Sequence, residues 1–252
     1  MKYLVAIQEW EARRTHTLDN VERLYGKLLH TCLVIPSGRA YLTRLETMLG
    51  TCHDHPFVPC APVKGISTDL EWWASVLRRP YLGCTIPGPV QLYDPGAFSD
   101  ASSGVGVAIV IGDCWRAWRL IPGWQTLDGK RNIGWAESIG FECLIRALAA
   151  TANPRHHLKL YGDNKGVVEG WWNGRSRNYA VNGVFQRIHS YLATTGLEHN
   201  FHSAYVSTTT NPADGPSQGI LPPTSLLLPP VPMPSCLDRF LIDTQEPYSP
   251  TE

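Results

Sequence analysis

The chain has little charge and no excess of either sign: Asp, Glu, Lys and Arg make up 17% of its 252 residues, and 22 basic side chains meet 22 acidic ones. An average soluble domain carries roughly 25% charged residues, and no polybasic arm that would dominate its partners is present. No apolar run reaches the roughly 18 residues of a membrane span. The opening MKYLVAIQEWEARRTH has acids where the apolar stretch of a secretory signal should continue. These absences predict an intracellular, soluble protein, cytoplasmic or nuclear, with no membrane partner. CxxC pairs are missing as well, and the seven cysteines (32, 52, 60, 84, 114, 143, 236) are odd in number and widely spaced, which predicts reduced thiols rather than a disulfide framework. Cys52, His53, His55 and Cys60 offer zinc-type ligands within nine residues, but their spacing fits no common finger pattern and reads as a loop. No internal repeat is present.

What is there is 43% hydrophobic residues, enough to exclude global disorder. The length exceeds the roughly 100–200 residues of one domain, so one domain with an appended piece is expected. Residues 1–89 read as helical. LDNVERLYGKLLHTCLV has an apolar stripe at 18, 21, 24, 25, 28, 29 and 32 and stops at Pro36. Ser37 offers an N-cap for GRAYLTRLETML, with Gly50 as its left-handed end. Thr68 and Glu71 have capping-box spacing before LEWWASVLRR, and a Pro/Gly linker runs to Pro89.

From residue 90 the period changes. AFSDAS, VGVAIVI and CWRAWRLI read as three meander strands, the last two joined by the turn Gly112-Asp113. After a loop at 123–131, Asn132 caps a helix to about Ala150, followed by the strand HLKLYGDN and the helix KGVVEGWW. The basic turn NGRSRN, the helix VNGVFQRIHSYLAT closed by Gly196, and the strand EHNFHSAYV complete the series. The order β-β-β-α-β-α-β predicts an α/β fold with a five-stranded mixed sheet flanked by helices. Residues 221–252 hold six prolines in LPPTSLLLPPVPMP and one basic residue against four acidic ones, and read as a flexible tail.

Four acids fall at element ends: Asp100, Glu137, Asp163 and Asp214, spaced by 37, 26 and 51 residues. If the first and fourth strands are parallel neighbours, Asp100 and Asp163 meet at one sheet edge. Glu137 lies on the apolar stripe of its helix, where a carboxylate is costly unless paired or bound to a cation. Clustered carboxylates cannot all stay ionised without cations, and Mg²⁺ takes oxygen ligands and accepts phosphate oxygens. Phosphodiester hydrolysis at a two-ion site is the natural chemistry, and it needs no nucleophilic side chain.

Asp100 in FSDASSG, Glu137 in WAES, Asp163 in YGDN and Asp214 in NPADGPS resemble the D-E-D-D active site of ribonuclease H, in the same order and on the same kinds of element. More closely, residues 90–220 resemble the ribonuclease H domain of fungal retrotransposon polyproteins of the tyrosine-recombinase type. LYGKLLHTCLVIPSGRAYLTRLETML resembles the thumb and connection region that follows the polymerase palm in those polyproteins. The resemblance covers about 18–220. It implies a ribonuclease H-like fold and metal-dependent endonucleolytic cutting of the RNA strand of RNA/DNA hybrids. Mg²⁺ or Mn²⁺ would be held by Asp100, Glu137, Asp163 and Asp214, with no small-molecule cofactor, and an upstream reverse transcriptase half is an implied partner. No YxDD-like polymerase motif occurs in the chain, so DNA synthesis is not expected. The sequence departs from the family at STTT (207–210), where many relatives carry a histidine, in the short spacing of NPAD, and at Gln218 in place of a basic residue.

Around this set, Ser102, Asn164, Lys165, Trp172, Arg175 and Arg177 are candidate substrate contacts. Arginine and tryptophan suit the phosphates and sugars of a hybrid duplex, although helix capping equally explains Asn164 and a β-turn explains Ser102. Trp115, Trp118, Trp124 and Trp135 read as packing residues, and His199 and His202 as ordinary strand histidines or catalytic helpers. Two rival readings share these residues. One is a catalytically inactive nucleic-acid-binding or structural relic, and the other is an integrase-type strand transferase, whose catalytic Glu comes last rather than second.

Overall fold

A computed structural model describes residues 2–80, 82, 90–125 and 131–245. The expected linker at 83–89, the middle of the loop at 126–130, Cys84 and the tail's last residues, 246–252, lie outside the described residues. The chain divides into two compact units, Met1–Gly88 and Pro89–Glu252. Among the described residues no helix is long and apolar enough to cross a membrane, and all six described cysteines are free thiols.

The first unit holds α1 (Lys2–Glu11), α2 (Leu18–Thr31), a 3-10 turn at Pro36–Tyr41, α3 (Thr43–His53) and α4 (Ile66–Leu77). The stripe of α2 buries Val21, Leu24 and Leu28 in a core that also contains Leu42, Leu45, Met48, Leu70 and Trp73. Three sequence expectations are corrected here. Ser37 caps nothing, because Pro36 starts a 3-10 turn and α3 begins only at Thr43. Gly50 lies inside α3, which continues one turn to His53 because apolar Cys52 is drawn into the core. The Thr68/Glu71 box is not the start of α4: Gly65, in the left-handed conformation (φ 87°), turns the chain three residues earlier so that Ile66 can be buried. Cys52 and His53 end α3, and residues 54–60 form a turn closed by a backbone bridge between His16 and Cys60.

The second unit is α/β. Its strands are β1 (Leu92–Ala101), β2 (Gly106–Ile111), β3 (Cys114–Leu120), β4 (His157–Gly162), β5 (Phe201–Tyr205) and β6 (Leu241–Asp243). They form one open mixed sheet in the order β5-β4-β1-β2-β3-β6. Gly112, at φ 59°, makes the two-residue turn that pairs Ile111 with Cys114. β1 runs antiparallel to β2 and parallel to β4, and β4 is parallel to β5. β1 starts five residues before AFSDAS, continuing past Pro95-Gly96 through a register shift against β4. The remaining helices are α5 (Ile133–Ala149), α6 (Lys165–Trp172), α7 (Tyr179–Thr195) and the single turn α8 (Asp214–Ser217). Val107, Ile109, Leu160, Ile139, Phe141, Leu144, Phe185 and Ile188 make the core between one sheet face and the helices. Glu142, fully buried, accepts hydrogen bonds from Arg146 on its own helix and from Arg187 of α7 at 2.6 Å, which clamps the two long helices together.

At the β5 edge, α6 and the strand exchange two side-chain-to-backbone hydrogen bonds. Trp171 Nε1 donates to the Phe201 carbonyl at 3.1 Å, and Ser203 Oγ donates to the Val168 carbonyl at 2.9 Å. At the other edge the flexible tail of the sequence reading is corrected: residues 221–245 are part of the fold. Leu226 and Leu227 pack with Val110, Trp115 and Ala117 on one sheet face. Leu228, Val231, Met233 and Leu237 then pack into the core on the other face, and β6 adds the sixth strand beside β3. Proline does not prevent this, since it forfeits only ladder donors, and the leucines between the prolines carry the burial. The segment is pinned by Arg116, buried on β3, which donates to Asp243 at 2.8 Å and to the Leu228 carbonyl.

Breaking a buried pair leaves one charge without compensation, at a cost of roughly 3–5 kcal/mol. Asp243→Ala should therefore lower the urea-unfolding free energy by about 3 kcal/mol, and truncation after residue 220 by more. A change under about 0.5 kcal/mol, the level of an indifferent surface substitution, would show that the segment merely lies on the surface.

Candidate metal centre

Three of the four acids converge. Asp100 is the next-to-last residue of β1, Asp163 follows the end of the adjacent parallel strand β4, and Glu137 sits in the second turn of α5. One oxygen from each lies within 4.8 Å of the others, so the group could hold a metal ion. The sequence produces this by close packing. Gly140, one turn after Glu137, lies so near β1 that a Cβ there would meet Val107 Cγ1 at 3.0 Å and the Asp100 carbonyl at 3.3 Å. That approach sets Glu137 over the end of β1, where the Ala101 backbone contributes a hydrogen bond to it.

The electrostatics follow from burial. Desolvation pushes the Glu137 carboxyl up to about 9, with the neighbouring Asp100 and Asp163 charges adding to the rise and the Ala101 contact opposing it. Asp100 is raised to about 6, first by burial; the Ser217 hydroxyl opposes this, and Asp163 and Asp214 add to it. One oxygen of Asp163, Oδ1, is buried with no hydrogen-bond partner. Buried carboxylates of like charge with an unpaired oxygen match the donor set of a hard divalent cation.

Asp214 stands beside this group rather than in it. Its charge is felt by Asp100, while its own Oδ1 accepts from Gln218 Nε2 at 2.8 Å. The segment around it holds the other acids. Ser217 Oγ, fully buried, donates to Asp100 Oδ2 and to the Asp214 carbonyl. Asn211 Nδ2 donates to the Ser99 carbonyl at 3.1 Å and reaches Asp100 Oδ1 at 3.5 Å. Thr208 Oγ1, in the STTT loop after β5, donates to Asp163 Oδ2 at 2.7 Å. Ser217, Asn211 and Thr208 escape sequence reasoning because their partners are 45 to 117 residues away. Only the position of Ser217, three residues after Asp214 in a Pro-Gly-bearing turn, hints at a role.

The remaining candidates divide. Asn164 caps α6, its side-chain oxygen accepting from the Val167 N–H at 3.2 Å. Ser102 opens the β1–β2 turn, its N–H donating to the Gly106 carbonyl at 2.8 Å. Lys165 lies over the Tyr205 ring, 5.2 Å from its centre. Trp172 is exposed at the end of α6, and Arg175 and Arg177 lie in the turn before α7, half-buried and exposed. Trp171, Trp115, Trp118, Trp124 and Trp135 are buried packing residues. A catalytic part for His202 or His199 is corrected. His202 pairs with Lys159 while Tyr205 pairs with Gly162, so His202 sits three residues, about 10 Å, back along β5 from the acid end. Its ring is bonded to His157 at 2.7 Å instead, and His199 lies further back still, before β5.

Raised carboxyls make the metal-free fold least favoured where they should ionise. Their penalty is absent below the ordinary carboxyl range near 4 and grows as pH rises toward the folded values of about 6 for Asp100 and about 9 for Glu137. Glu137→Gln should accordingly stabilise the chelated protein by about 2–3 kcal/mol at pH 7, have no effect at pH 4, and abolish the rise in melting temperature that Mg²⁺ or Mn²⁺ gives the parent. Equal stability of the two proteins across that range would show that Glu137 is solvated and not part of a cation site. Comparison with protein-family models, with curated proteins and with solved structures finds no match for this chain.

Proposed function

We propose that this chain is a ribonuclease H-like endonuclease that hydrolyses the RNA strand of RNA/DNA hybrids with Mg²⁺ or Mn²⁺. The observation that carries the reading is the convergence of Asp100, Glu137 and Asp163 at the ends of two parallel neighbouring strands and one overlying helix. It is supported by the resemblance of the four acid-bearing segments to the D-E-D-D motifs of that family, and by a strand order in which the meander β1-β2-β3 is followed by two parallel strands, β4 and β5.

Asp100, Glu137 and Asp163 would hold the cations, with Asp214 completing the set from α8. Bound there, two divalent ions supply an activated water, charge stabilisation at phosphorus and support for the leaving 3′ oxygen, giving 5′-phosphate and 3′-hydroxyl ends. The chain's own contribution is positioning. Ser217 and Asn211 fix the Asp100 carboxylate, and Thr208 holds one oxygen of Asp163 while the other stays open. Lys165, Arg175 and Arg177 are cations for the backbone phosphates, and recognition by phosphate and 2′-hydroxyl contacts is weakly sequence-specific and salt-sensitive. An upstream reverse transcriptase half would supply the hybrid.

The test is cleavage of a labelled RNA/DNA hybrid by the full chain with Mg²⁺, with Mn²⁺ and with chelator. RNA cutting that needs the cation, and that Asp100→Asn, Glu137→Gln and Asp163→Asn each reduce by at least about 100-fold, is the expected result. A folded protein that binds the hybrid and leaves it intact with either cation is instead a binding relic.

The pH profile is a separate expectation. Asp100 and Glu137 must lose their protons to take cations, so cleavage at limiting Mg²⁺ should climb from about pH 6 toward pH 9. Higher Mg²⁺ should shift that rise to lower pH, since cation and proton compete for the same oxygens. A flat profile between those limits at limiting Mg²⁺ would remove the raised carboxyls from the mechanism.

A further inference from the structure

Beside the acids, between α6 and the end of β5, lies an open groove of ≈ 230 Å³ lined by Trp172, Tyr205, Glu169, Asn173 and Ser203 among others. Its two aromatic rings are the unusual feature: Trp172 is 71% exposed and Tyr205 49% exposed. Neighbouring Trp171 shows what packing requires here, since it is buried and hydrogen-bonded to β5. Trp172 adds nothing to that core. Its indole faces solvent, which a large apolar ring does at a cost unless something covers it.

The Tyr205 end of the groove is tied to the acid cluster through the backbone. Tyr205 pairs with Gly162, the residue before Asp163, and the Val206 N–H donates to the Gly162 carbonyl at 3.1 Å. Two residues on, Thr208 bonds Asp163 itself. Lys165, in the first turn of α6, lies with its ammonium over the Tyr205 ring and so places a positive charge at the end of the groove nearest the acids. The volume is below the roughly 300–1,000 Å³ of pockets that enclose drug-sized molecules, and suits one planar ring system. Exposed aromatic faces with a cation beside them are how proteins hold successive bases of a single strand, whose stacked faces are free when the base is unpaired. A base-paired duplex does not offer those faces.

We propose that this groove is a stacking site for an unpaired nucleotide, on a single-stranded extension that runs out of the acid-lined crevice past Tyr205 to Trp172. Trp172 and Tyr205 provide the platform, Lys165 meets the strand's phosphate, and the Asn173 amide and Glu169 carboxylate face the base edge. The inference rests on the reading of the acids as a nucleic-acid site. It goes beyond that reading in assigning a second binding element that favours hybrids with an overhang over blunt ones.

The experiment measures fluorescence anisotropy of the full chain, in chelator, with three labelled probes: a single strand of about ten nucleotides, a length within the roughly 4–16 that such sites span, a blunt RNA/DNA hybrid, and the same hybrid carrying an RNA overhang. The expected result is tighter binding of the overhang hybrid than of the blunt one. Trp172→Ala and Tyr205→Ala should each weaken single-strand binding by about 5–150-fold, from roughly 1–3 kcal/mol per stacked base, and erase the overhang preference. Trp172→Tyr, which keeps a ring, should retain most of it. Equal affinity for blunt and overhang hybrids, or single-strand binding that both alanine variants retain, overturns the proposal. Cleavage of the blunt hybrid with Mn²⁺ is scored separately. Stacking without cleavage keeps the groove and removes the nuclease, whereas cleavage without stacking keeps the nuclease and removes the groove.

Discussion

The structure of the second unit turns on the cost of placing carboxylates out of water next to one another. Glu137 and Asp100 are buried within a few ångströms of Asp163, and burial together with the neighbouring aspartate charges raises the energy of ionising both. A fold gains nothing from this by itself. The surrounding features make sense as means of imposing it: a glycine that lets α5 settle on β1, a buried Ser217 hydroxyl that fixes one carboxylate, and Thr208 aimed at another. A cation held there would relieve strain of this electrostatic kind, so the stability of the unit would depend on whether the acids are filled.

Much of this was legible in the sequence, because the signals were local. The turn Gly112-Asp113, the cap at Asn164, the span of α6 and the glycine end of α7 each depend on a few adjacent residues with restricted backbone choices, and each is found where the pattern puts it. Asp100 and Asp163 were legible because both stand at strand ends, and Glu137 because a carboxylate on the apolar stripe of a helix is costly without a partner. What was not legible depends on long-range packing. The Pro-rich segment looked free because its leucines have no period, yet Leu226, Leu227 and Leu228 divide between the two faces of the sheet, and a sheet edge imposes no helical or strand period on a chain that wraps it. Gly50 looked like a helix end until the burial of Cys52 outweighed its poor propensity.

The same distinction separates the parts of the site. Asp100 and Asp163 come together through strand pairing, which the order of elements encodes. Ser217 and Asn211 reach Asp100 only because the chain returns across the sheet after β5, and nothing in NPADGPS states its destination. The Arg116–Asp243 pair fastens the wrapping segment to β3, and the Glu142–Arg187 pair fastens α5 to α7.

The bonding of α6 to β5 has a consequence for assembly. A bare outer strand is an invitation to any extended chain, including another copy of the same protein. Here Trp171 takes the Phe201 carbonyl on that side, and the three residues of β6 leave only a short ladder on the other. With one outer carbonyl of β5 already taken by an indole N–H, and with β6 only three residues long, both edges are poorer templates for a further strand than bare ladders of full length would be.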